Sequence, residues 1–192
     1  MDSHQIYLDS IRSQFQYYKK LGEKAIEQLE PEQLFTAYND DTNSIATIVK
    51  HMSGNMLSRW TYFLTEDGEK PWRDRDEEFV QDIIVDKEDL MKKWEAGWAC
   101  LYEALDSLRP DQLLEIIYIR NEGHTVMEAI NRQLAHYPYH VGQIIYAAKL
   151  LKHGSWLSLS VPRNSSKSYN AEKFSNDRVV RNFTVEELKK LE

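Results

Sequence analysis

The stretch Gln133-Leu134-Ala135-His136-Tyr137-Pro138-Tyr139-His140-Val141-Gly142-Gln143 lies in the most strongly periodic part of the chain. Around it Met127, Ile130, Leu134, Tyr137, Val141, Ile144, Ala148 and Leu151 recur at steps of three and four. That spacing predicts one amphipathic helix from about Val126 to Lys152. On a helix, residues four apart stand about 40° apart around the axis and about 6 Å along it. His136 and His140 therefore share a face. Two neutral imidazoles so placed grip a transition metal when another segment supplies a further ligand. Gln133, His136, His140 and Gln143 form one polar line beside the apolar stripe, without Lys or Glu. A solvated face carries such charges, so this line reads as the lining of a partly enclosed, wet pocket. Pro138 frees the carbonyl of Leu134, which predicts a kink beside the histidines.

Three further amphipathic helices precede this one. Tyr7, Ile11, Phe15, Tyr18, Ala25 and Leu29 mark the first, which Glu30-Pro31 stops. After the turn- and cap-rich run Asn39-Asp40-Asp41-Thr42-Asn43-Ser44, residues Ile45, Ile48, Val49, Met52, Met56, Trp60 and Phe63 trace the second. His51 sits at the edge of that stripe and is the natural third ligand. Asn55, one turn later, is a candidate for orienting an imidazole; Gln143 on the other helix could do the same for His140 or contact substrate, and Gln133 is a candidate for either role. The third helix runs from about Lys87 to Leu108 behind an Asp86 cap. The charged stretch from Glu69 to Asp86 reads as a long crossover loop on the surface, a kind of segment that often borders function. Leu114 to Arg120 is β-branched and aromatic, and Asn121-Glu122-Gly123 has turn chemistry, which fits a short strand or an extended segment. The expected architecture is all-α: a four-helix bundle over residues 1–154, with a polar tail over 155–192 ending in a short helix near Thr184 to Leu191.

Charge and composition exclude several classes. A formal charge of −7, with no dense Lys/Arg stripe, argues against a nucleic-acid surface. No apolar run approaches the roughly 20 residues a membrane span needs. Met1 to Gln5 offers no secretory signal, so a cytoplasmic location is expected. The single Cys100 excludes an internal disulfide framework and a multi-Cys zinc site, and reads as a small helix residue. Gln133 and Tyr137 occupy the positions where a di-iron bundle carries glutamates, so a di-iron carboxylate site is not expected. Three histidines leave coordination positions open, which is the catalytic pattern. His4, His124 and His153 read as structural or solvated.

Asn43-Ser44-Ile45 at the head of the second helix, His51, and the late His136-x-x-x-His140-x-x-Gln143 resemble the DinB-like (YfiT-like) metalloenzymes. Trp156-Leu157-Ser158-Leu159-Ser160-Val161-Pro162-Arg163 is similar to a Bacillus-type subgroup of that superfamily. The resemblance covers about residues 3–170. It implies an up-down-down-up bundle whose crossover joins helices 2 and 3, and a divalent metal, zinc or nickel, on His51, His136 and His140. It also implies a homodimer and, by analogy with some relatives, transfer of a low-molecular-weight thiol such as bacillithiol to an electrophile. Tyr139, by its place between the two histidines, is a candidate for proton transfer. Metal-assisted hydrolysis and non-catalytic metal or small-molecule binding stand beside that expectation.

Overall fold

The computed structural model describes residues 3–80 and 86–191. Among them the protein is mostly helical, with six α-helices and one two-stranded antiparallel sheet. The helices are α1 (Ser3–Glu27), α2 (Ile45–Trp60), α3 (Lys87–Ser107), α4 (Val126–Leu151), α5 (Ser166–Phe174) and α6 (Phe183–Leu191). The strands are β1 (Ile116–Ile119) and β2 (Glu122–Thr125).

The helix starts follow from their caps. Ser44 Oγ accepts the Thr47 N–H at 3.1 Å at the head of α2, and Asp86 Oδ1 accepts the Asp89 N–H at 2.8 Å at the head of α3. Thr125 and Glu128 form a reciprocal capping box on α4: Thr125 Oγ1 accepts the Glu128 N–H and Glu128 Oε2 accepts the Thr125 N–H. Past the end of α4, Gly154 adopts a left-handed φ of 94°. The helix continues through Pro138.

α2 packs along α3, α1 packs along α4, and α2 also meets α4. The apolar stripes converge on an aromatic cluster. Phe15 of α1, Trp94 and Trp98 of α3 and Tyr137 of α4 are each no more than 1% exposed. Their rings stand 5.4–6.3 Å apart in tilted and edge-to-face pairs. Trp60 of α2 joins by donating its indole N–H to the Tyr137 hydroxyl at 3.0 Å. Three helices thus meet on Tyr137, one residue from His136. No described helix is long and apolar enough to cross a membrane.

The tail contains more helix than its polarity suggested. α5 was not expected, while α6 extends the expected terminal piece by one residue at its start and packs on α1, with Phe183 against Tyr17 at 6.1 Å. The tail's entry is held where Gln28, just past α1, exchanges two hydrogen bonds with the Leu157 backbone. The crossover expected over Glu69 to Asp86 includes residues 81–85, which lie outside the described residues.

The hairpin turn falls at Arg120-Asn121, one residue ahead of the expected turn. Both have positive φ, 54° and 62°, as a two-residue type I′ turn requires. Asp67, just beyond α2, holds them: Oδ1 accepts the N–H groups of Glu69 and Arg120 at 2.7 and 2.8 Å, and Oδ2 accepts that of Asn121 at 2.8 Å. Burial pushes the Asp67 carboxyl up, but the three amides outweigh it and hold it below its ordinary value. Its contribution is therefore complete above the unfolded value of about 3.9 and is lost as pH falls through the lower folded one. Asp67→Ala is expected to lower stability by about 1–3 kcal/mol in urea unfolding at pH 6. The gap to the parent should narrow below about pH 4.

Candidate metal centre

His136 and His140 are brought together by helix geometry alone. Their Nε2 atoms stand 2.9 Å apart, and their ring centroids 4.6 Å apart. α2 brings His51 against both, at ring-centroid distances of 5.7 Å from His136 and 4.9 Å from His140. One nitrogen from each imidazole fits a set lying within 4.8 Å of one another. His136 abuts the aromatic core, its ring 5.5 Å from that of Tyr137; His51 is buried and the other two histidines are half-buried.

The second nitrogen of each ring is taken. Gln143 Oε1 meets His140 Nδ1 at 2.8 Å, and Gln133 Oε1 meets His136 Nδ1 at 3.2 Å. Gln143 donates its own amide N–H to the Tyr139 hydroxyl at 3.0 Å, which fixes its oxygen toward His140. Amide oxygens accept only, so both imidazoles carry their protons on Nδ1. Both Nε2 atoms then present lone pairs to one another. At 2.9 Å that arrangement is repulsive between neutral rings and becomes favourable around a cation. Two ligands on a tetrahedral zinc, each about 2.0–2.1 Å from the ion, stand roughly 3.3 Å apart, close to this spacing. The donor set fits a divalent metal.

Protonation does not compete. Burial, then the charges of His140, His51, Arg59 and Arg132, push His136 down to about 3. Burial lowers His140 as well, against the hydrogen bond to Gln143. Both are neutral at physiological pH, the form that binds metal.

His51 is oriented by a residue that sequence reasoning did not single out. Its Nδ1 lies 2.8 Å from Glu78 Oε2, which leaves Nε2 for the cluster. Arg73 grips the same carboxylate, through Nε to Oε1 at 2.7 Å and Nη2 to Oε2 at 3.0 Å. Burial alone would raise the Glu78 carboxyl; hydrogen bonds from His51 and Arg73 and their charges pull it below its ordinary value. A carboxylate behind a metal-ligating histidine sets its tautomer and raises its basicity. Both partners come from the charged loop after α2. One signal lay in the sequence: Gly54, one turn beyond His51, is the position against which Glu78 rests.

The other anticipated residues are placed as follows. Asn55 accepts the Tyr137 hydroxyl at 3.1 Å, and this is its hydrogen bond among the described residues, so it supports the core behind the cluster rather than an imidazole. Gln133 and Gln143 each contact a histidine. Tyr139 is 60% exposed, with its ring 5.0 Å from that of His140. His124 lies on β2, and His153 follows α4 with a φ of 47°; neither joins the cluster.

Three imidazoles converging from two helices define a histidine-cluster helical protein with the geometry to hold a divalent ion. The family model described as a protein of unknown function (DUF1572) matches residues 2–165. The chain belongs to that family, which is a DinB-like one. No curated protein and no solved structure matches the chain.

Two glycines beside the histidines should respond oppositely to alanine. A Cβ at Gly54 would lie 2.3 Å from Glu78 Oε1, whereas one at Gly142 would meet nothing within 4 Å. In urea unfolding, Gly54→Ala is expected to cost about 1–3 kcal/mol by displacing Glu78. Gly142→Ala should be neutral or stabilising by up to about 1 kcal/mol through helix propensity.

Proposed function

We propose that this chain is a divalent-metal-dependent enzyme of DinB-like type that transfers a low-molecular-weight, bacillithiol-like thiol to an electrophile. His51, His136 and His140 would hold the ion, with zinc or nickel the metals that the donor set and the resemblance favour. The observation that carries the reading is the facing pair of Nε2 atoms, each with its ring's other nitrogen already committed. Once bound, the ion supplies Lewis acidity that lowers the pKa of a thiol or water beside it.

The chain's own groups do the rest. Glu78, clamped by Arg73, keeps His51 in one tautomer, and Gln143 does the same for His140. Tyr139 accepts from Gln143, so its own hydroxyl proton remains free for a group entering from outside. Phe79 lies against His51 at 5.2 Å and shields it from water on the loop side. In this reading α1 to α4 form the up-down-down-up bundle, the loop carrying Arg73 and Glu78 is its crossover, and the protein works as a homodimer on a small-molecule substrate. The likeness of Trp156 to Arg163 supports the Bacillus-type subgroup.

The test joins metal content to turnover. Protein purified without an affinity tag should carry about one divalent ion per chain, and His136→Ala should lose it. Glu78→Gln should weaken metal affinity about 10–100-fold. With a generic electrophile and bacillithiol, cysteine or glutathione, at least one thiol should give turnover that His51→Ala abolishes. Turnover indifferent to His51→Ala would sink the mechanism. A metal-loaded protein inactive with every thiol would instead favour hydrolysis or non-catalytic binding.

A further inference from the structure

Beside the histidine cluster, a cavity of about 690 Å³ opens between the α1–α2 connection and the C-terminal half of α4. That is the size range of sites for small organic ligands, roughly 300–1,000 Å³. Tyr38, Tyr139 and Tyr146 line it, 81%, 60% and 67% exposed, so three phenol rings border it. Ile48 and Leu151 contribute apolar wall. Among the lining residues the one charge is Asp41, and there is no Lys or Arg. No hydrogen bond or ion pair engages the Asp41 side chain among the described residues; its backbone N–H is held by Asn39.

This chemistry selects by charge. Aromatic faces are electronegative, and a cation within about 6 Å of a ring face is attracted to it. An unpaired carboxylate adds to the same preference. An anionic ligand would meet Asp41 with no compensating cation in the lining. The head of α2 is nearby, but the Thr47 N–H is already satisfied by Ser44. We propose that this cavity binds an apolar molecule carrying an ammonium group, its charge beside Asp41 and the tyrosine rings. Gln143 lines the cavity and also holds His140, so the ligand sits one side chain away from the cluster. The inference rests on the cavity alone and holds whether or not the thiol-transfer reading does.

Gly142 supplies the test. It lines the cavity, and a Cβ there meets nothing within 4 Å, so the side chain of Gly142→Leu starts in open space and is expected to occupy part of the cavity. Calorimetric titration of the full chain would use three probes with one apolar body: 4-phenylbutylammonium, 4-phenylbutanol and 4-phenylbutanoate. The ammonium should bind most tightly, the alcohol about 3- to 30-fold more weakly, and the carboxylate most weakly. Asp41→Asn should bring the ammonium toward the alcohol and leave the alcohol unchanged. Gly142→Leu should weaken all three while helicity and metal content stay at the parent's level. Carboxylate binding equal to the ammonium, or binding indifferent to Gly142→Leu, overturns the proposal. So does a parent that binds no probe; if its dimer is also broken by Gly142→Leu, the surface belongs to a second copy of the chain. Metal content in the same samples reports separately on the histidine cluster.

Discussion

Two imidazole nitrogens 2.9 Å apart, each belonging to a ring whose other nitrogen faces an amide oxygen, have no proton to share. Much of the site serves that constraint. The four-residue step along α4 sets the spacing, and the glutamines three residues away on either side set the tautomers. Tyr139 fixes the amide that fixes His140. A cation between the lone pairs would turn that repulsion into an attraction, and the three histidines are close enough together to hold one.

The third imidazole is held by different physics. His51, Glu78 and Arg73 have side chains only 8%, 7% and 3% exposed, so a full ion pair is buried behind the ring. Removing one member of such a pair leaves an uncompensated charge and typically costs about 3–5 kcal/mol. The arrangement therefore favours one position for His51 over alternatives. Electrostatics nearby are mixed. Arg59 is 5% exposed, and its Nε and Nη1 have no hydrogen-bond partner among the described residues. Its field helps keep His136 neutral and also opposes a metal ion, whereas the Glu78 carboxylate favours one. The balance leans on Glu78 being in place.

Much of this was legible in the sequence, for identifiable reasons. Helix period placed α1 to α4 within a few residues, and the cap residues Ser44, Asp86 and Gly154 marked ends that the structure keeps. The four-residue step of the histidines is local, and His51 beside an apolar stripe has few directions in which to point. Gly54 marked a place where something could rest against α2, but that it is Glu78 was not legible, because Glu78 comes from a loop 27 residues away from its partner and no periodicity fixes a loop. Asn55 had the right helical spacing for the role that Glu78 fills, but its amide turns to the Tyr137 hydroxyl. The hairpin turn was displaced because Arg120 is an unusual occupant of a positive-φ position, and Asp67, far off in sequence, stabilises it there. The helix α5 buries none of its residues, so it left no hydrophobic period to read.

Loop-borne residues thus supply what the helices lack: a carboxylate behind His51, and Tyr38 and Asp41 at the edge of the neighbouring cavity. The central claim is that three imidazoles together hold one divalent ion. X-ray absorption at the zinc edge of protein loaded with one equivalent of zinc tests this directly. The expected first shell holds three imidazole nitrogens at about 2.0–2.1 Å, with their outer-ring scattering. A shell of oxygens alone, or one unchanged by His140→Ala, would contradict it.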